Sequence, residues 1–577
     1  MRKSIKKSLC LTLSCALLSS LVLPTMAGCD RAENVNNRFT EEEKKNMTQL
    51  IVGVYDGGFG TGWADTIAVE FEKKFADYSF EPNKTGVYVD VQGKKSGYDP
   101  NTLKANIKGG VEIADIYYTS SYIDSFINDD IMYDITGVYK EKVYDDKGNY
   151  VGENGTKSLL DRTDEYYVDA YNLGTEQEPA YYALPYEDTY KGFVYDHDLF
   201  EQKGWLNYSG IDGTPKTTTE FIDLLMKITQ AQMIPYTLST SDASFYYYNM
   251  FYSFMAQYEG LDNAWLNLTL DGEYTFPANT FTAEEVTNYN LQGSHDQPIT
   301  VTITPENGYL LAYQPGRKAL ADFIRTIANP NFYDPNCVGM TQTFAETQKS
   351  FVLSKSNSVG KRIAMIFDGE WWEHEAKEYF DDASLSDPTQ KYGTRDFRMM
   401  TVPMATGGKN EEPVMITLEA TVAFANKKTV EANTAKQDLI SKWFQFQYDR
   451  SGLVTYTKEA GGVLAYKYEA TPEELNSFTS FSRSIYNMKN SDTIKTARIG
   501  MNHSSVNEYT KISTLPMGGF GVQEVSWYNI AQNRGNANIF GAMINDSTLT
   551  AAQWIAGVRH RYNKSNWDVA YNKYIGN

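Results

Sequence analysis

The sequence predicts an α/β protein whose strands lie parallel in a sheet covered by helices on both faces. Three observations predict it. Strands of buried type alternate with amphipathic helices from residue 50 onward, the order that gives parallel sheets with helical crossovers. The chain has 577 residues, too many for one small domain. Its 42% hydrophobic and 22% charged residues supply enough apolar material for sizeable cores and speak against a largely disordered chain.

Charge and composition narrow the function. With 53 basic against 73 acidic side chains the formal net charge is −20. Phosphate contact needs a basic face, so general nucleic-acid binding is disfavoured, as is a polybasic membrane surface. Tyrosine dominates the aromatics, 43 Tyr against 28 Phe and 9 Trp. A tyrosine joins a flat apolar face to a hydroxyl, which suits amphipathic ligands as well as half-buried packing.

The first residues indicate export. Arg2, Lys3, Lys6 and Lys7 precede an apolar stretch over 8–23, a secretory signal too short and wrongly flanked to span a bilayer. Met26-Ala27-Gly28-Cys29 resembles the lipobox of bacterial lipoproteins. That resemblance implies a signal over 1–28, with Cys29 acylated as the first mature residue on the outer face of the cytoplasmic membrane. An ordinary signal cut near Ala27 is the alternative. Cys10 and Cys15 leave with the signal and Cys337 stands alone, so stability must rest on packed cores rather than disulfides. Residues 29–48, polar and aperiodic, read as a flexible tether.

The folded part opens with Leu50-Ile51-Val52-Gly53-Val54-Tyr55, a buried strand. A loop with Gly57, Gly58, Gly60 and Gly62 follows, then a helix carrying Trp63, Ile67 and Phe71 at i, i+4, i+8. A nucleotide fingerprint is excluded, because Trp63 stands where the third glycine would be and no GK[ST] occurs. Val87 to Val91 alternates as a second strand, and 113–118 reads as a third, ending in the hydroxyl-rich Thr119-Ser120-Ser121. Ligands of such sheets sit beyond the carboxyl ends of the strands, which puts 56–63 and 118–121 on one rim. Strand-like pieces flank the turn Tyr186-Glu187-Asp188-Thr189-Tyr190, and Thr217 and Glu220 have capping-box spacing before a stripe of Phe221, Leu224, Leu225 and Ile228. An aromatic helix candidate covers 245–258, residues 259–310 look like an irregular insertion, and 361–367, 397–403 and 414–424 read as strands. The rest is mostly helical, broken at Gly461-Gly462.

These pieces, in this order, resemble the extracellular solute-binding proteins, family 1, of ABC importers, the carbohydrate-binding branch. The matching stretches are Gly57-Gly58 with Trp63, Ala114-Asp115-Ile116-Tyr117, Ala183-Leu184-Pro185-Tyr186-Glu187-Asp188 leading to Val194-Tyr195-Asp196, and Pro215-Lys216-Thr217-Thr218-Thr219-Glu220-Phe221. The most specific is Gly360-Lys361-Arg362-Ile363-Ala364-Met365 with Asp368-Gly369-Glu370-Trp371, where the family has a GK-x-AM strand and a G-x-W turn. The resemblance covers roughly 50–462, poorly over 259–310 and the last hundred residues. It implies a two-lobed periplasmic-binding-protein-like (type II) fold with hinge strands and a central ligand cleft. One lobe would comprise 49–186 and 404–460, the other 187–403 and 461–577, with crossings near 184–191, 401–404 and 456–462. It further implies a monomer that captures an oligosaccharide and delivers it to ABC permease subunits, lobe closure being the message.

A sugar site needs flat aromatics for C–H faces and carboxylates for paired hydroxyls. The family's G-x-W tryptophan stacks on sugar, which nominates Trp371, with Glu370 and Trp372 beside it. Asp188 and Tyr190 lie at the first crossing, Trp63 heads the first helix, and Tyr118 and Ser120 end the third strand. Asp242 and Tyr247 follow a strand over 235–239. Glu419 interrupts an apolar run, where an acid needs a partner or a ligand. Each has a plainer alternative: core packing for the aromatics, capping for Asp188 and Ser120.

Two rival functions remain open. A surface glycoside hydrolase would need two carboxylates about 5–5.5 Å or 6.5–9.5 Å apart, for which Glu370, Asp188 and Glu419 are the candidates, though no motif favours catalysis. A peptide-binding importer subunit fits the length, but the G-x-W turn argues against it. No metal or cofactor is expected: five His are scattered, His374 reads as a solvated helix face, and Cys337 has no nearby His.

Overall fold

The apolar run after residue 47 folds as the strand Thr48–Tyr55 inside a five-stranded sheet. The computed structural model describes residues 38–94, 99–120, 123–240, 243–338, 342–356, 360–419, 421–498, 505 and 539–576. Two compact units are distinguished, 1–38 and 39–577. Only Arg38 of the first is described, so the signal, Cys29 and most of the tether lie outside the described residues. The tether ends earlier than the sequence suggests. Thr40 and Glu43 form a capping box on the helix Glu41–Lys45, and Thr48 is buried and pairs with Val87. Among the described residues no helix is long and apolar enough to cross a membrane.

The first sheet has the order Val87–Lys94, Thr48–Tyr55, Ile116–Thr119, Val422–Ala425, Ala183–Pro185. The first three strands run parallel, as their alternation with helices predicts; Val422–Ala425 is antiparallel to both neighbours. The expected start of the third strand is too early, since Ile113 is exposed and pairing begins at Ile116. The helix Gly62–Lys74 buries Trp63, Ile67 and Phe71 along one stripe.

A second sheet has the order Phe397–Met400, Lys191–Asp196, Ile363–Gly369, Ile234–Leu238. Its helix Thr218–Gln230 begins at a complete Thr217/Glu220 capping box and buries Phe221, Leu224, Leu225 and Ile228. The 259–310 insertion is more regular than its composition suggests. It holds the helix Leu261–Thr269 and an antiparallel pair, Gly272–Phe276 with Ile299–Ile303, whose buried faces carry Tyr274, Phe276, Ile299 and Ile303.

Three chain crossings join the sheets, side by side. The first runs from Pro185 to Lys191, and its Glu187 bridges Leu464 while its Asp188 pairs with Glu419. Another lies between Glu419 and Val422. The last follows the helix Arg450–Ala460, whose C-cap Gly461 takes φ +86°, a left-handed conformation natural to glycine. Near the expected crossing at 401–404, Met404 bridges Thr217. The strand Val414–Glu419 that follows is held by the aromatic helix Ala243–Glu259 through side chains. Ser253 Oγ accepts from Ile416 N at 2.9 Å, and Gln257 Oε1 accepts from Val414 N at 3.0 Å. Residues 414–419 are thus tied to that helix, and they pair with 188–189 and 495–498 in a sheet of their own.

Candidate functional site at the lobe seam

Trp371 sits where the G-x-W turn puts it, at the end of Ile363–Gly369, and it meets the glycine loop of the first lobe. A Cβ on Gly58 would lie 3.1 Å from Trp371 Cβ. A Cβ on Gly369 would collide with the six-membered ring of the indole. Two glycine backbones thus approach the indole, as closely as only glycine permits. Phe59 meets it edge-on at 6.3 Å. Lys191 Nζ stands 5.5 Å from the ring centre, and burial pushes its pKa down to about 7 against the field of Asp368. His374 is half-buried, not solvated, and its Nδ1 lies 3.1 Å from Gly58 O. Both lobes therefore contribute to one seam.

Three carboxyl groups and one lysine converge on the crossings. Glu370 is buried and paired with Lys489 at 2.9 Å, and its Oε1 accepts from Tyr190 N at 2.7 Å. Burial raises its pKa, and Lys489 opposes the rise. Lys489 also donates to Val463 O at 2.9 Å and to Asp188 O. Asp188 is held by Arg498 through Nε and Nη2, at 3.1 and 2.8 Å, and Arg498 reaches on to Asp164. Burial would raise the Asp188 pKa, but Arg498 and then Lys489 bring it below the ordinary value. Glu187 differs. It is 8% exposed and its Oε1 has no hydrogen-bond partner. Burial, then Glu370 and Asp56, push its pKa up to about 8. Ion pairing decides which acids stay charged here.

The other nominated residues divide. Trp63 is fully buried among Tyr118, Tyr186 and Tyr456, with ring centres 5.3–5.6 Å away, but its Nε1 has no partner. Tyr118 belongs to the first core: its hydroxyl accepts from Trp443 Nε1 at 3.0 Å and donates to Gln447. Trp372 belongs to the second core, packed on Phe351, Phe380, Phe397 and Phe481. Adjacent aromatics at a strand end point apart, and this one points inward. Tyr190 is buried against Thr496. Ser120 is exposed and apart from the seam. Glu419 lies opposite Asp188 by backbone register, but its side chain lies outside the described set, as does that of Tyr247; Asp242 is not described at all. Sequence reasoning did not single out Glu187, although it stands inside a quoted motif. It also missed Lys489 and Arg498, which no local pattern marks. A separate cleft of about 700 Å³, lined by Asp164, Tyr166, Trp265, Asp271 and Arg498, includes none of the nominated residues.

No protein-family profile and no curated protein matches the sequence. Solved structures do match. A probable secreted solute-binding lipoprotein from Streptomyces coelicolor is similar at TM-score 0.51 and 12% identity, over 89% of this chain and 98% of that one. The chain has the solute-binding-protein fold. A second likeness is to RafE from Streptococcus pneumoniae in its apo form, at TM-score 0.50 and 12% identity, over 90% of this chain and 98% of that chain. RafE has also been solved in complex with raffinose. Two lobes, hinge strands and a cleft between them are what this solute-binding-protein fold provides.

Proposed function

We propose that the chain captures a carbohydrate outside the membrane by closing its lobes, as the ligand-binding subunit of an ABC importer anchored through acylated Cys29. The observation that carries the reading is the seam itself: an indole on the second lobe pressed against a glycine loop on the first. A sugar entering between opened lobes would take the Trp371 face that the Gly58 loop now covers for its C–H surface, while Trp63 Nε1 and Glu187 Oε1, both unpartnered, would serve its hydroxyls. Closure transmits ligand occupancy only if the ligand binds the closed form better than the open one. Glu370 and Asp188 are each committed to an ion pair, which speaks against hydrolysis by that pair of carboxylates.

The test is a thermal-shift screen of the protein lacking residues 1–29 against a panel of glycans. A ligand at about 100 times its Kd stabilises the folded form by about 2.7 kcal/mol, a readable shift. Trp371→Ala should abolish the shift while the far-UV circular dichroism stays native. A panel in which nothing moves the melting temperature would refute the reading.

A further inference from the structure

We propose that the sugar held at this seam carries a protonated amine, with Glu187 as its counter-ion. The proposal rests on the carbohydrate reading above and sharpens it. Four observations support it. Glu187 is more than nine-tenths buried, and its Oε1 accepts no hydrogen bond. The cations near it are committed elsewhere: Lys489 to Glu370 and two carbonyls, Arg498 to Asp188 and Asp164. Lys191 faces Trp371 in the field of Asp368. The remaining charges that reach Glu187 are acidic, Glu370 and Asp56. The same spot is walled by aromatic rings. A Cβ on Gly57 would lie 3.2 Å from both Glu187 Oε1 and Tyr55 Cε1, and Tyr456 lies within the field of Glu187.

A buried acid oxygen near Tyr55, Tyr456 and further carboxylates suits an ammonium group, which carboxylates and aromatic rings attract. A neutral hydroxyl would satisfy the oxygen alone, whereas a cation is also drawn by Glu370 and Asp56 beside it. Trp63 Nε1, packed on Tyr456 and Tyr186 and without an acceptor, asks in turn for a hydroxyl oxygen, which makes the ligand a sugar rather than a simple amine. Without ligand Glu187 keeps its proton near neutrality. Binding the ammonium lets that O–H proton leave to solvent, and the carboxylate accepts an N–H from the ligand. The formal net charge of −20 also favours the approach of cations.

The experiment compares short glucosamine oligomers with their N-acetylated counterparts and with spermidine, by isothermal titration of the protein lacking residues 1–29. It is run at about pH 7, where Glu187 still holds its proton and the amines are largely charged. The amino sugar should bind up to about tenfold more tightly than the N-acetyl form, the worth of one charge-assisted hydrogen bond less the cost of removing the Glu187 proton. Titration in two buffers of different ionisation enthalpy should show about one proton released per amine bound. Glu187→Gln should lose both the preference and the proton release. Its unliganded melting temperature, no lower than that of the parent, shows that it still folds. Tighter binding of the N-acetyl form, or a preference that survives Glu187→Gln, overturns the amine while the carbohydrate reading stands. Equal binding of spermidine overturns the sugar part, and no binding by any glycan overturns both readings.

Discussion

Replacing Lys489 with methionine tests the electrostatic centre of the seam. Its side chain is 9% exposed and that of Glu370 fully buried, so neither group is exchanging a protein partner for water. In Lys489→Met, Glu370 keeps the N–H of Tyr190 at 2.7 Å and that of Val463 at 3.4 Å but loses its only ion pair. A buried charge stripped of its partner costs about 3–5 kcal/mol, against about 0–1 kcal/mol for a surface pair. The Glu370 pKa is already raised by burial and Lys489 holds it down, so in the variant it rises further. A carboxyl whose folded pKa lies above its unfolded value keeps its stability at low pH and loses it as pH climbs through the folded pKa. Urea unfolding followed by tryptophan fluorescence should therefore show the full deficit at neutral pH and a smaller one in acid. Lys489→Met combined with Glu370→Gln should recover most of it. A deficit under about 1 kcal/mol, or one independent of pH, would show that the pair is solvated and the reasoning is wrong.

Two further outcomes follow from the same seam. Gly58→Ala places a methyl 3.1 Å from Trp371 Cβ at φ +84°; the left-handed backbone alone costs about 1–2 kcal/mol. Its melting temperature should fall and its glycan affinity weaken, and an unchanged pair of values would mean the lobes do not meet there. Glu187 is buried with its pKa raised to about 8, so the stability it contributes in acid is lost from about pH 4.5, where the unfolded carboxyl ionises, up to about pH 8. Over that window the melting temperature of the parent should fall relative to that of Glu187→Gln; parallel curves would place the charge elsewhere.

Much of the fold was legible because burial periodicity is local. The stripe Trp63, Ile67, Phe71, the capping box at Thr217 and the apolar strand into Asp368-Gly369 each declare themselves within a dozen residues. The insertion was not legible, since its hairpin hides alternation in short polar-flanked pieces and draws its core from Tyr274 and Phe276. The hold on the strand after Thr401 was not legible either, because nothing local reveals that Ser253, 163 residues earlier, bonds Ile416. The site divided on the same line. Trp371 and Glu370 stood out through their turn, but Tyr118 and Trp372, similar in kind, fill cores. Glu187 becomes distinctive only in three dimensions, where the lysine that might have neutralised it serves Glu370 instead.

The antiparallel strand Val422–Ala425 has one more consequence. It lies between Ile116–Thr119 and Ala183–Pro185, and Thr119 bonds Val422 across 303 residues of sequence. A ribosome must finish most of the polypeptide before the earliest sheet can close, and such distant pairings are slow to form. The strands at 48–55, 87–94 and 116–119 can pair early, but the sheet's far edge waits for a segment made late.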